Sequence, residues 1–397
     1  MILHGENKLK AFILKKRYLL FLTTITLLSV LLRYTLRKFI SADYVGFLHP
    51  WFVVSKHLGG IFSLKRQIGD YNILYQFIIS LFSYLPFRDL YLYKLLSSFF
   101  DFVLAISAGW LAVIINKNPL SNKKIFALTY ATILILPTVL LNSAVWAQCD
   151  SIYTSFIVLS LAFLFKKRNI LSFLMLGLAF AFKFQAIFVL PFFLYVWMTK
   201  KNIYIWHFLI ATFVFWLSGI PGYIFGRSLL SPFEIYLNQT HTYNYLFMNY
   251  YNFSGLFGLQ INKVGAFHFF EKAFILATII ILMIGFMYLL SNYQLSDILY
   301  LGVTIWTVYT CVMFLPAIHE RYAFVVDILI VVLAILNKKY ILIAVPEILI
   351  SFMSYGRVLF FDKSNIVALS LIALIVYVSF TIILLHDYKV YCESEKA

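Results

Sequence analysis

The sequence predicts an all-α, polytopic membrane protein with about twelve transmembrane helices, and three observations predict it. Of 397 residues, 63% are hydrophobic and only 12% charged, more apolar surface than a soluble fold can hide. Apolar stretches of about 15 to 25 residues recur from end to end. The basic residues behind the formal net charge of +16 sit in short clusters at the ends of these stretches, where membrane topology accounts for them better than nucleic-acid binding does.

The first apolar run, 17–39, follows a basic flank and lacks a small-residue cleavage site, which predicts an uncleaved first span. Further spans are expected at 91–115, 125–142, 150–165, 170–183, 185–198, 203–219, 273–291, 298–315, 322–336, 341–358 and 366–386. With a cytoplasmic N-terminus, the inner loops NKNPLSNKK, KKRN, TKKN, SNYQLS and NKKY carry ten Lys or Arg. The short outer loops carry four: Lys183, Arg321, Arg357 and Lys363. That bias puts both termini inside. No fixed-period repeat or low-complexity tail divides the chain, so 1–397 reads as a single membrane domain.

Two outer loops are long. The first, about 40–90, reads as short amphipathic helices at the interface, rich in Tyr, Phe and Trp, Trp51 among them. The second, about 220–272, contains YLNQTHTYNYLFMNYYNFSGLFGL and is punctuated at Pro221, Gly222, Pro232 and Gly255. It reads as an ordered polar-aromatic loop suited to packing on lipid or sugar.

Ionisable residues at membrane depth are costly, so each is a functional candidate. Asp43 follows the first span and could serve as a general base or cap the next helix. Asp150, preceded by Trp146 and Gln148, opens a span as a cap or a site residue. Lys183, followed by Gln185, needs an anion at its turn: Asp150, Glu320 or a ligand phosphate. His319, Glu320 and Arg321 are consecutive between two spans; His and Arg suit a phosphate more than a metal. In the expected topology all of these lie on the outer side. Lys94, Asp101 and Asp327, within spans, read as interhelical pairing groups.

The chain has no HExxH, no DxD and no carboxylate pair at helical spacing, so a divalent metal would need Asp43, Asp70 and Asp150 to meet in space. Cys149, Cys311 and Cys392 have neither disulfide nor zinc spacing and read as packing residues.

SADYVGFLHPWF, GDYNILYQ, WAQCDSIY, GLAFAFKFQAIFVLPF and HERY together resemble the bacterial membrane glycosyltransferases of the GT-C class. The nearest group is the mannosyltransferases related to the second mannosyltransferase of GPI-anchor synthesis. The dolichyl-phosphate-glucose-dependent glucosyltransferases are more distant. The resemblance covers about residues 35 to 335 and lies in the combination, since HERY alone is a weak signal.

It implies a GT-C fold and inverting transfer of one mannose- or glucose-type hexose from a polyprenyl-phosphate carrier to a glycan, glycolipid or protein acceptor. The transfer would take place on the outer face of a bacterial plasma membrane. By the same resemblance Asp43 is the catalytic base, while His319, Arg321 and Lys183 face the carrier phosphate. Glu320, Asp150, Gln148, Gln185, Asp70 and Trp51 support them. Eukaryotic relatives read HEK where this chain reads HER. The expected partners are the lipid-linked sugar, the acceptor and membrane lipids, with no nucleic acid and no resident cofactor. Two other classes compete: a transporter or flippase of lipid-linked glycans, and an outer-face polysaccharide polymerase or ligase. The second usually carries a cation-rich outer loop, whereas 220–272 has only Arg227, Lys263 and Lys272.

Overall fold

A computed structural model describes residues 2–239, 245–257, 264–290 and 295–395 of the chain. Parts of the second outer loop (240–244, 258–263, with Lys263) and of the inner loop SNYQLS (291–294) lie outside them. Each of the twelve apolar stretches is helical, and helices provide nearly all the regular structure.

The chain runs through α1 (Ile2–Leu36), α2 (His49–His57), α3 (Ile73–Phe82), α4 (Asp89–Ile115), α5 (Asn122–Ile135) and α6 (Pro137–Leu140). It continues through α7 (Asp150–Phe165), α8 (Asn169–Phe182), α9 (Leu190–Thr199), α10 (Trp206–Leu217), α11 (Ile220–Ile224) and α12 (Ser231–Gln239). After β1 (Phe247–Met248) come α13 (Val264–Leu289), α14 (Asp297–Phe314), β2 (Ile318–His319), α15 (Phe324–Leu336), α16 (Ile341–Leu359) and α17 (Ile366–Ser394).

Among the described residues, six helices are long and apolar enough to cross a bilayer: those containing 12–36, 89–115, 267–289, 297–314, 338–359 and 366–394. The stretch 119–145 supplies a seventh as a bent pair. Its bend of 50° falls at Pro137, where the missing N–H and the ring end the helix at the preceding residue. The stretches 150–165, 169–182, 206–217 and 324–336 are shorter apolar helices. The first, second and fourth are packed into the interior, α15 along most of its length, whereas 206–217 buries only one face, through His207, Ala211 and Phe215.

Polar pairing fixes the bundle from within. Arg33 on α1 donates twice to Asp101 on α4 (2.9 and 2.7 Å), and the Ser143 and Ser151 hydroxyls donate to the same carboxylate. Lys94 turns away from Asp101 and donates to the carbonyls of Phe39 (2.7 Å) and Arg37 (3.1 Å), holding the chain end that leaves α1. Asp327 accepts from Ser351 of α16, and on that helix Glu347 accepts from Tyr250 and Tyr309. Gly177 lets α8 and α10 touch, because a Cβ there would meet the Ala211 carbonyl oxygen at 2.5 Å.

The first long loop contains the expected short helices, α2 and α3, joined by a 3₁₀ turn over Gly60–Lys65. Arg227 of the second outer loop donates to Gln67, Gln76 and the carbonyls of Leu64 and Arg66. The two long loops are thereby tied into one cap. Cys149 and Cys311 are buried and all three cysteines are free thiols.

Candidate functional site

Four separated parts of the chain meet at one end of the bundle. Asp43 comes from the exit of α1, Trp146 to Asp150 from the entry to α7, Lys183 from the end of α8, and His319 to Arg321 from the α14–α15 connection.

Local backbone form places each of them. Tyr44–Leu48 and Leu141–Val145 are single π-helical turns, a form that wide-spaces side chains and recurs at functional sites. Ala147 (φ 65°) and Ala317 (φ 55°) adopt left-handed backbone without being glycine. Such strain persists only where the surroundings impose it. One alanine lies between Trp146 and Gln148, the other two residues before His319. The capping role open to Asp43 goes to Ser41, whose Oγ accepts the Tyr44 amide at 3.2 Å.

Asp43 is held by one oxygen. Its Oδ2 accepts from Trp146 Nε1 at 2.9 Å and Gln148 Nε2 at 2.8 Å, and Arg321 Nη2 stands 3.6 Å away. The described residues provide no hydrogen bond to Oδ1, and the side chain is 22% exposed. Gln148 is oriented in turn, its Oε1 accepting from Tyr71 Oη and Arg321 Nη1, both at 3.0 Å.

Arg321 lies at the centre, its side chain only 11% exposed. Nε donates to Glu320 at 3.0 Å, Nη1 is 3.6 Å from Asp150, and the guanidinium lies over the Trp146 ring at 5.1 Å. Burial alone would lower its pKa, but the charges of Glu320, Asp150 and Asp43 together raise it well above the ordinary arginine value. Burial likewise pushes the Glu320 carboxyl up, but the His319 hydrogen bond and the Arg321 charge outweigh it and bring Glu320 down to about 2.

Lys183 pairs with Asp150, which also accepts from Asn142 at 2.8 Å. Of the anions open to it in the sequence, the lysine has taken the aspartate, and Tyr153 and Tyr322 flank its ammonium at 5.6 and 5.9 Å. His319 Nδ1 is 3.8 Å from Glu320, and its ring packs on Tyr322 at 5.1 Å. The second outer loop braces this segment: β1 pairs in parallel with β2, with Met248 opposite His319, and the Ala317 amide donates to the Leu246 carbonyl at 3.0 Å.

Trp51 borders the cluster through Tyr71, ring centres 5.6 Å apart. Gly69 (φ 68°) lies so close to the Trp51 ring that a Cβ would approach it to 2.3 Å, so both its backbone form and its contact demand glycine. Asp70 is exposed, and among the described residues its carbonyl is engaged by Gln239. Gln185 sits on the 3₁₀ turn after Lys183, its Oε1 buried without a partner among the described residues and outside the network. The meeting of Asp43, Asp70 and Asp150 that a metal would require does not occur. Among the described residues no group of three His, Cys, Asp or Glu is arranged to hold a metal ion.

The structure adds Asn142 and Tyr71 to the network. Asn142 is an amide inside the apolar run LPTVLLNSAVW, a signal the sequence did carry; Tyr71 lies in the GDYNILYQ stretch but, as one tyrosine among twenty-eight, carries no signal of its own for a site role. A second cluster adjoins Asp43: buried Asp89 accepts from Tyr44 Oη and bonds His49 Nδ1, each at 2.9 Å.

Asp43, Asp150 and Glu320 outnumber Lys183 and Arg321, which leaves the cluster one negative charge in excess while His319 is neutral. Compared with protein-family models, curated proteins and solved structures, the chain matches none.

Proposed function

We propose that the protein is an inverting GT-C-type glycosyltransferase that moves a single mannose- or glucose-type hexose from a polyprenyl-phosphate carrier to an acceptor glycan, glycolipid or protein. The observation that carries this reading is the asymmetry of Asp43. Trp146, Gln148 and Arg321 all hold Oδ2, so Oδ1 is the lone-pair face left for a substrate. A positioned carboxylate of this kind is what a general base requires.

In the proposed reaction Oδ1 takes the proton of the acceptor hydroxyl as that oxygen attacks the anomeric carbon. The bond from that carbon to the phosphate oxygen breaks on the opposite side, inverting the centre and releasing the polyprenyl phosphate. Charge grows on the departing phosphate, and Arg321 with protonated His319 balances it; a preorganised donor of this kind contributes a few kcal/mol. Arg321 Nη2 has a 3.6 Å ion pair with Asp43 and no hydrogen bond to it, so the donor remains available. Lys183 serves by holding Asp150, and Trp51 with Tyr71 offers an aromatic edge for a sugar ring.

The reading includes twelve spans, both termini in the cytoplasm and the cluster on the outer face of a bacterial plasma membrane. Two facts support this topology. The twelve apolar stretches are helical, and the site residues, all expected at outer ends, lie together at one end of the bundle. A flippase would set its substrate site near the bilayer midplane instead.

The test is to incubate purified protein with defined polyprenyl-phosphate mannose or glucose and extracted surface glycans or glycolipids. Mass spectrometry should find an acceptor heavier by one hexose, with inverted linkage and free polyprenyl phosphate. Movement of intact carrier across a vesicle without transfer would sink the proposal.

A further inference from the structure

A concavity at the far end of the bundle belongs to none of this. Asp150 opens the 16-residue α7 at the site end, so the turn after Phe165 stands about 24 Å away at the helical rise. Between that turn and the segment leading into α10 lies a cavity of about 410 Å³, walled by Lys167, Arg168, Asn169, Tyr204, Trp206 and His207.

Three independent features of this cavity favour an anion. Lys167 and Arg168 are exposed and form no ion pair among the described residues, although Asp297 is within electrostatic reach of Lys167. The first turn of α8 lines the cavity through Asn169, Ile170 and Leu171, and no side chain caps it. Free first-turn amides and the helix dipole both attract negative charge. His207 is only 3% exposed. Its Nδ1 lies 3.0 Å from the Tyr204 amide nitrogen and 3.1 Å from the Tyr204 carbonyl oxygen, and its Nε2 has no hydrogen-bond partner among the described residues. An anion in the cavity selects the tautomer in which Nδ1 accepts the Tyr204 amide and Nε2 carries the ring proton as a donor.

Around this polar floor the surface turns apolar. Ile205 and Leu209 are 60% and 67% exposed, Ile170 is exposed beside them, and Trp206 stacks on His207 at 3.9 Å. Basic side chains, an aromatic edge and exposed aliphatic surface together match an amphiphile lying in a membrane interface. A soluble anion would have no use for the aliphatic part.

We propose that this concavity binds the phosphate of an anionic phospholipid. Arg168, Lys167 and His207 meet the headgroup, the α8 amides donate to a phosphate oxygen, and the acyl chains lie along Ile170, Ile205 and Leu209. The lipid comes from the leaflet opposite the Asp43 cluster, so this site is independent of the proposed transfer chemistry.

The experiment follows the unfolding midpoint of the full-length protein in nonionic detergent at fixed ionic strength. Phosphatidylglycerol, phosphatidylcholine or inorganic phosphate is titrated in. Phosphatidylglycerol should raise the midpoint saturably, with the other two inert. In Lys167→Gln/Arg168→Gln the half-saturating concentration should rise by about 25-fold, about fivefold per cation. Lys123→Gln/Lys124→Gln removes the same charge from another inner loop and should leave it unchanged. If the cavity double variant does not fold, Arg168→Gln alone should show about a fivefold rise. Equal stabilisation by phosphatidylcholine, an equal loss in the Lys123/Lys124 variant, or an undiminished response in the cavity variant would overturn the proposal. A full response to inorganic phosphate would reassign the cavity to a soluble anion and overturn it as well.

Discussion

The guanidinium of Arg321 stands 3.6 Å from the carboxylate of Asp43, on the oxygen that Trp146 and Gln148 also hold. One cation thus orients a carboxylate drawn from the other end of the sequence and leaves its second oxygen open.

Asp43→Asn preserves shape and an acceptor oxygen for Trp146 and Gln148 but cannot take a proton. Hexose transfer should fall by about 10²- to 10⁴-fold, the usual contribution of a general base, with the unfolding midpoint nearly unchanged. Transfer rates and thermal unfolding measured on the same preparation separate the two effects. Undiminished transfer would remove Asp43 from the catalytic role.

Arg321→Ala is expected to act on stability as well as on transfer. It leaves Asp43, Asp150 and Glu320 without the cation they share, and unpairing buried charges costs about 3–5 kcal/mol. Arg321→Lys keeps the charge but loses the planar fork, so it should recover most of the stability and little of the transfer. Denaturant or thermal unfolding of the two variants beside their turnover tests this split.

Lys183 and Asp150 should behave as a pair. Lys183→Met or Asp150→Asn alone strands a buried charge, at about 3–5 kcal/mol each. The double variant should lose clearly less than the sum. Additive losses in a double-mutant cycle would show that the pair is not coupled.

Glu320 makes a prediction in acid. Its folded-state pKa of about 2 lies below the ordinary glutamate value of 4.5, so its stabilising contribution is complete above 4.5 and lost as pH falls toward 2. The contribution at neutral pH is about 3 kcal/mol. Glu320→Gln should therefore be less stable than the native chain at pH 7, and the gap should close on acidification. Unfolding midpoints of both proteins across that window check it.

Much of this arrangement is legible in the sequence because charge in an apolar chain stands out. The basic loops alone assigned Asp43, Asp150, Lys183 and the His319–Arg321 run to one and the same side of the membrane, and the structure brings them together. Partner choice was less legible. Lys183 had several anions open to it, and Asp150 won because α7 and α8 pack side by side. Asp89 and His49 meet only because α2 folds back on the start of α4, and Tyr71 reaches Gln148 through a turn whose glycine touches Trp51. Such contacts depend on loop geometry, to which hydrophobic periodicity is blind. The break at Pro137 had a local signal in the proline, whereas the π turns beside Asp43 and Gln148 had none.

The sharing of Arg321 among three acids has a consequence for biogenesis. Chains enter the membrane from the N-terminus as they are made, so Asp43 and Asp150 are inserted long before Arg321 is synthesised. Asp101 finds Arg33 already present, and Asp150 gains Lys183 one helical hairpin later. Asp43 has only the neutral donors Trp146 and Gln148 until the HER segment arrives. A nascent chain arrested before residue 321 is therefore left with an uncompensated acid, and such intermediates should be the ones that membrane quality control recognises.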